Sequence, residues 1–208
     1  MALASAGVKG DPTLALRERA VRAAQALVAE KGLEVSMDDI AVAAGVGRRS
    51  LFRYFESRDD LVAEGLARSL DWFGRHLAAH EPCGEDLDEW LVSLARYVHR
   101  TCLDAGKGLW QMAAADNDDL PEPIAALNRR RRADRRRWTA EMANRAWTSS
   151  GGGGETPEVV LDAFSMFLSS FSTRSLATDL RVGLDRIATS SAAVLSATIR
   201  SQRGIAVG

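Results

Sequence analysis

The stretch SMDDIAVAAGVGRRSLFRYFESRDDL, Ser36 to Leu61, decides the fold of this chain. Its apolar residues repeat at helical spacing on either side of a glycine, so it reads as helix, tight turn, helix. Ile40, Ala41 and Ala44 fall on one inward face, Gly45 stands at the turn, and Val46, Leu51 and Phe55 form the inward face of the second helix. Ala41 has to be small because the second helix crosses close above it. Gly45 suits a backbone of positive φ, which a Cβ would oppose. The pattern is that of a helix-turn-helix, and an ordinary helical hairpin is the alternative for the same spacing.

Charge bears on that alternative. Arg48, Arg49 and Arg53 share a helix with Leu51 and Phe55, and Tyr54 and Arg58 follow at its end. From Val46 to Arg58, four arginines against Glu56 leave a local charge of plus three. Arg48 and Arg49 occupy the first turn, the part of a recognition helix that reaches base edges in the major groove. There one guanidinium can bond guanine O6 and N7 together, which contributes ~1 to 3 kcal/mol of discrimination. A solvated basic face is the alternative for any single arginine.

Residues 36–61 resemble the DNA-binding motif of the tetracycline-repressor-like (TetR) family. The resemblance is carried by Ser36, Ile40, Ala41, Ala44, Gly45, Val46, Leu51, Phe52, Tyr54, Phe55, Ser57, Arg58, Asp59 and Leu61. Three positions depart from the family pattern: Gly47 stands for a usual serine, Arg49 for a usual small residue, and Phe52 for a usual tyrosine. Phe52 lacks the hydroxyl that would bond a phosphate or base, but keeps a ring able to touch a thymine methyl. The DNA-facing set expected from motif and resemblance is Arg17, Ser36, Gly47, Arg48, Arg49, Ser50, Phe52, Arg53, Tyr54 and Arg58. Arg49 implies an operator preference unusual for the family.

The rest of the chain is read outward from this motif. The 208 residues, 46% of them hydrophobic, suffice for a real core, and 27 basic against 28 acidic residues give a net charge of −1. Any nucleic-acid surface must therefore be a local patch. Two cysteines without a framework, no apolar run of membrane-spanning length and no secretory signal point to a soluble cytoplasmic protein with no membrane partner. Residues 1–10 are expected to form a loose arm, with Lys9 its lone cation. Asp11-Pro12 starts a helix that Gly32 stops, with Leu16, Ala20, Val21, Ala24, Leu27 and Val28 inward. Ser36 with Asp39 and Ser57 with Asp60 mark two further helix starts as capping pairs.

Downstream, a helix from about Arg58 to His80 carries Leu61, Leu66, Leu70, Phe73 and Leu77, and Glu81-Pro82-Cys83-Gly84 ends it. The resemblance implies that this helix links the DNA-reading part to a ligand domain. Leu87 to Cys102 gives another helix, ending near Gly106 to Gly108, with Leu109, Trp110 and Met112 on a shorter one. Beyond an acidic loop, residues 116–119, comes a long helix with seven arginines, Arg129 to Arg132 and Arg135 to Arg137, which cannot all face one partner. A solvated or screened helix, a second nucleic-acid contact and an anchor for an anionic ligand remain open for it. Residues 149–154, SSGGGG, read as a flexible linker. Two helices follow, roughly Pro157 to Leu180 and Leu184 to Arg200, a pair that resembles the family's dimerisation bundle.

The expected architecture is all-α: a three-helix helix-turn-helix domain over residues 11–56, a helical ligand-binding and dimerisation domain over 57–203, and a tail over 204–208. The resemblance implies a homodimeric transcriptional regulator, a repressor, on palindromic double-stranded operator DNA. A small apolar effector in the C-terminal domain releases it. Candidate pocket residues are Trp90, Tyr97, Trp110, Met112, Trp138, Met142, Phe167 and Phe171, each of which could equally be plain core. His76, His80 and Cys83 have a spacing that could supply metal ligands, which leaves a metal-responsive regulator as the second reading. His99 and Cys102 are expected in the core or the pocket lining. No cofactor is expected. No Ser-His-Asp order, phosphate loop or paired carboxylates stand out, so no enzyme is expected, although a ligand carrier with a borrowed hairpin would share these features.

Overall fold

The computed structural model describes residues 12–78 and 86–204, and among them it contains helices and turns but no strand. Helix α1 (Pro12–Lys31), α2 (Met37–Ala44) and α3 (Arg48–Leu51) form the N-terminal unit, and α4 (Arg58–Ala78) leads out of it. Then come α5 (Leu87–Ala114), α6 (Glu122–Ser149), α7 (Glu158–Phe167), α8 (Ser170–Arg174) and α9 (Leu184–Gln202). Among the described residues no helix is long and apolar enough to cross a membrane. The expected N-terminal arm, His80 and Cys83 lie outside the described residues.

Local chemistry accounts for the start of the motif. The Ser36 side chain accepts the Asp39 N–H at 3.1 Å, and the Asp39 carboxylate accepts the Ser36 N–H at 3.2 Å. This satisfies one of the open donors of α2 and fixes where it begins. Asp39 is held down to about 2 by hydrogen bonds from the Ser36 side chain and from Lys31. The far end closes at Gly45, φ 65° and ψ 40°, with Val46 N–H on Ala41 O at 3.0 Å and Gly45 N–H on Val42 O at 3.1 Å. This pair of bonds is a Schellman closure, and it needs the left-handed backbone that glycine adopts without strain. Ser57 repeats the first device for α4, its Oγ accepting the Asp60 N–H at 3.1 Å.

Ala20, Ala24, Val28, Ile40, Ala41, Leu51, Phe55, Leu61 and Leu66 bury together, and the same apolar cluster continues through Leu91, Leu94, Met112, Met142 and Phe164 to Ile199. Helix α4 joins the two parts. It packs along α1, where Arg68 reaches Glu18 at 2.6 Å and Arg17 reaches Glu64 at 2.6 Å, while its far half meets α5 and α6. The Arg68 hydrogen bond, then that of Arg22, pulls Glu18 down to about 2. Helix α5 makes a second connection. It changes direction at Gly106, φ 60° and ψ −148°, where a Cβ would stand 2.2 Å from Ala29 O, so only a glycine lets α5 lie against the end of α1. One turn on, Gln111 Oε1 accepts the Leu33 N–H at 2.7 Å.

Three segments differ from the sequence expectation. The second helix of the motif is a single turn, Arg48–Leu51, after which Phe52, Arg53 and Tyr54 form a turn whose bonds mix three- and four-residue spacings. The SSGGGG segment is folded rather than loose: Gly152 N–H bonds Trp147 O at 2.9 Å, Gly151 N–H bonds Thr148 O at 2.9 Å, and the chain lies on the Trp147 ring, whose Nε1 donates to Gly153 O at 3.3 Å. Having no side chains, the glycines can approach an indole that closely. The helix expected from Pro157 to Leu180 breaks at Leu168, φ −100° and ψ 62°, because the Ser169 side chain accepts the Ser172 N–H at 3.0 Å and starts α8. Ser175–Asp179 then form a wide π turn.

Candidate nucleic-acid interface

The turn from Gly47 to Phe55 presents its apolar residues inward and its cations outward. Leu51 and Phe55 are buried, whereas Arg48, Arg49, Phe52 and Arg53 are exposed and Ser50 and Tyr54 half-buried. Phe52 is 48% exposed, unusual for a ring with a core close by. Arg48 lies over this ring, its guanidinium 5.6 Å from the centroid, and Arg53 lies 6.0 Å from the Tyr54 centroid. Arg48 Nη1 also bonds both Asp38 oxygens, at 2.8 and 3.1 Å, an exposed pair that solvent screens. Ser36 is exposed at the N-terminus of α2, and Gly47 is exposed ahead of α3. The turn thus carries a row of three exposed cations, Arg48, Arg49 and Arg53, with the exposed Phe52 ring among them.

Two expected DNA contacts are placed differently. Arg58 turns inward, where Nη1 donates to Leu33 O and Nη2 lies 3.1 Å from Asp59, so it fastens the loop after α1 to the start of α4. Arg17 is exposed but held between Glu64 and the Phe55 ring, 5.5 Å from its centroid.

In the C-terminal part, a cavity of about 110 Å³ opens between α4, α5, α6 and the α7–α8 break. Leu70, Phe73, Val98, Ala105, Leu109, Trp138 and Leu168 give it an apolar wall, with Ser69, Thr101, Cys102, Ser169 and Ser170 at its polar points. Of the eight candidate pocket residues, Trp138 lines it. Trp90, Met112 and Met142 are buried core, Trp110 and Phe167 are half-buried, and Tyr97 stacks on Phe73 at 5.6 Å and donates its hydroxyl to Phe73 O at 2.9 Å. Burial pushes the Tyr97 phenol up to about 12. Phe171 is 80% exposed, because the break at Leu168 turns α8 away from the expected helix face.

Of the arginines for which the sequence left an anchor for an anionic ligand open, Arg131 and Arg135 are the two that line this wall. Their signal was present: positions 131, 135 and 138 share one helical face, so Trp138 and the two arginines must point the same way. His99 lies beside the cavity wall, fully buried, with Nδ1 2.8 Å from Thr173 Oγ1 and Nε2 3.0 Å from Ser191 Oγ. Thr173 gives its own proton to Ser169 O, so His99 Nδ1–H is the donor in the first bond and Nε2 accepts in the second. Burial pulls His99 down to about 4, and it stays neutral. The His76-His80-Cys83 constellation is described only at His76, which stacks on Trp72 at 4.2 Å. No group of three possible ligands occurs among the described residues.

The sequence profile described as "Bacterial regulatory proteins, tetR family" matches residues 20–64, from within α1 to the first turns of α4. The HTH-type transcriptional repressor KstR2 of Mycolicibacterium smegmatis is 28% identical over 128 residues, covering 59% of this chain and 60% of that protein. The chain thus spans less than two thirds of that curated relative. The fold is shared with a tetR-family transcriptional regulator of Streptomyces coelicolor, with a TM-score of 0.68 and 19% identity over 90% of this chain and 82% of that one. It is also shared with a TetR-family regulator of Syntrophomonas wolfei, with a TM-score of 0.61 and 13% identity over 88% of this chain and 94% of that one. The elbow at Gly45 and the basic turn after it both lie within the residues that are similar to the tetR family of bacterial regulatory proteins.

Proposed function

We propose that the protein is a cytoplasmic, sequence-specific regulator of transcription that binds a palindromic operator as a homodimer, acts as a repressor, and releases DNA when a small molecule enters the cavity at Trp138. The observation that carries this proposal is the exposed row of Arg48, Arg49, Phe52 and Arg53 on a turn held rigid by the Gly45 closure. Such a turn presents guanidinium groups to base edges while the capped N-terminus of α2 at Ser36 offers free N–H groups to a phosphate. Ser50 and Tyr54 flank the row and are assigned to sugar and phosphate contacts. Arg17 joins them if DNA draws it from Glu64. Arg58 leaves the set because it is spent on Leu33.

The repressor assignment takes its support from the curated relative's description. The homodimer is supported by Met166, Phe171, Leu180 and Val194, large apolar side chains left exposed on α7, on α8, just after the π turn and on α9, which a second copy would cover. Coupling follows from the two connections between the parts. A ligand among α4, α5 and α6 displaces Leu70 and Leu109, and those helices bear on α1 through Arg68-Glu18 and through the Gly106-Ala29 contact. Selection of bound fragments from a random DNA pool tests the proposal. It predicts an enriched inverted repeat with half-sites about one helical turn apart, and enrichment of no sequence refutes it.

A further inference from the structure

We propose that the cavity at Trp138 takes an anionic amphiphile, a carboxylate carrying a compact apolar body, with its head on Arg131 and Arg135. This deepens the effector reading above and rests on it only for the consequence on DNA. Of the eight arginines on α6, five find a charge or a carbonyl away from the cavity: Arg129 on Glu122 at 2.5 Å, Arg130 on Asp71 at 2.6 Å, Arg132 on Ala115 O at 2.9 Å, Arg137 on Asp134 at 2.8 Å and Arg145 on Glu141 at 2.6 Å. Arg131 and Arg135 are different. One turn apart on the face that carries Trp138, they are half-buried in the cavity wall, and their partners are neutral: Arg131 Nε donates to Asn128 Oδ1 at 3.0 Å, and Arg135 Nη2 donates to Ser165 O.

No carboxylate among the described residues lies within ion-pair distance of either guanidinium. The cavity's one acid, Asp134, is already shared by Arg137 and, at 3.6 Å, by Arg130. Cys102, the other ionisable group of the wall, stays a neutral thiol because burial pushes it up to about 11. Burial and then the charges of Arg135 and Arg132 bring Arg131 down to about 10, so it remains a cation, and burial lowers Arg135 as well. Two cations brought out of water beside an apolar wall, with no counter-charge, leave a position that an incoming anion neutralises. The planar fork of each guanidinium matches the two oxygens of a carboxylate. Leu70, Phe73, Val98, Leu109 and Leu168 fit an apolar body, and a cavity of about 110 Å³ limits it to no more than about a single benzene ring.

Calorimetric titration of the full chain with benzoate and phenylacetate, alongside benzyl alcohol, phenylethanol and acetate, tests the assignment. The acids should bind about tenfold or more tightly than the matched alcohols, and acetate, which has no apolar body, should bind far more weakly than benzoate. Arg131→Met and Arg135→Met should each lose about tenfold for the acids while the alcohols change less than about twofold. Arg135→Lys, which keeps the charge and loses the fork, should fall between. The Lys variant decides the matter if a Met variant lacks the parent's thermal transition. Alcohols binding as tightly as acids, parent-like acid binding by the arginine variants, or no acid binding below about 1 mM would each overturn the proposal. Retention of DNA is scored separately: acid binding that leaves DNA bound supports the site and refutes its effector role.

Discussion

Arg48 is held by Asp38 across the elbow of the motif, one guanidinium nitrogen reaching both carboxylate oxygens at 2.8 and 3.1 Å. The first cation of the exposed row is therefore partly neutralised while the protein is free, and on the proposed reading a phosphate or a base must compete with Asp38 for it. Asp38→Asn removes the competitor and a like charge facing the DNA backbone. Its expected result is tighter binding to every sequence and a log K against log salt slope steeper by about 1. Titration of labelled DNA over a salt series measures both, and an unchanged slope would exclude the competition.

Arg58→Ala should act on stability, not on DNA. The side chain holds Leu33 O, and its loss leaves that part-buried acceptor without its donor. The expected loss is about 1–2 kcal/mol, read from urea unfolding, with the salt slope of DNA binding unchanged. A flattened slope would return Arg58 to the phosphate contacts.

The glycines at two turns predict unequal penalties. At Gly45 a Cβ meets nothing within 4 Å, so Gly45→Ala carries only the backbone term of a left-handed residue, ~1–2 kcal/mol. At Gly106 the backbone, φ 60° and ψ −148°, excludes other residues and the Cβ would strike Ala29 O, so Gly106→Ala should lose about 3 kcal/mol or more. Urea midpoints of the two variants compare them, and equal losses would remove the α5–α1 contact from the coupling route.

His99 gives the fold a pH dependence of definite sign. Its folded value is about 4 against 6.5 for a free imidazole, so the unfolded chain takes up the proton first as pH falls. The stabilisation is complete above about 6.5, is lost progressively between 6.5 and about 4, and is constant below that. The span corresponds to about 3 kcal/mol for this fully buried ring. His99→Gln, which cannot titrate, should lose less stability than the parent over this window. Parallel curves would show that His99 does not carry the effect.

What the sequence made legible is what short-range chemistry decides. The capping pairs at Ser36 and Ser57, the turn at Gly45 and the stop at Gly32 depend on residues three or four apart, and each stands where the pattern put it. The cavity depends on which helix faces which, and an aromatic stripe looks the same whether it fills a core or lines a space. Hence Trp90 and Met112 are core, Phe171 is exposed, and the wall is made of Leu70, Val98 and Leu168, residues that spacing alone does not distinguish. The break at Leu168 was hidden by an apolar period continuing through it, because only the Ser169 hydroxyl on the Ser172 N–H favours the new helix start. Arg49 and Arg53 read the same in sequence and structure because exposed cations beside a buried Leu51 have one way to point.

The central claim is that the exposed arginines of the α3 turn read base edges. Its most direct measurement is the affinity of the parent and of Arg49→Ala for a selected operator and for random DNA at one salt concentration. A loss of ~1–3 kcal/mol on the operator, with a clearly smaller loss on random DNA, is the predicted result. Equal losses on the two DNAs, or none on either, would contradict it.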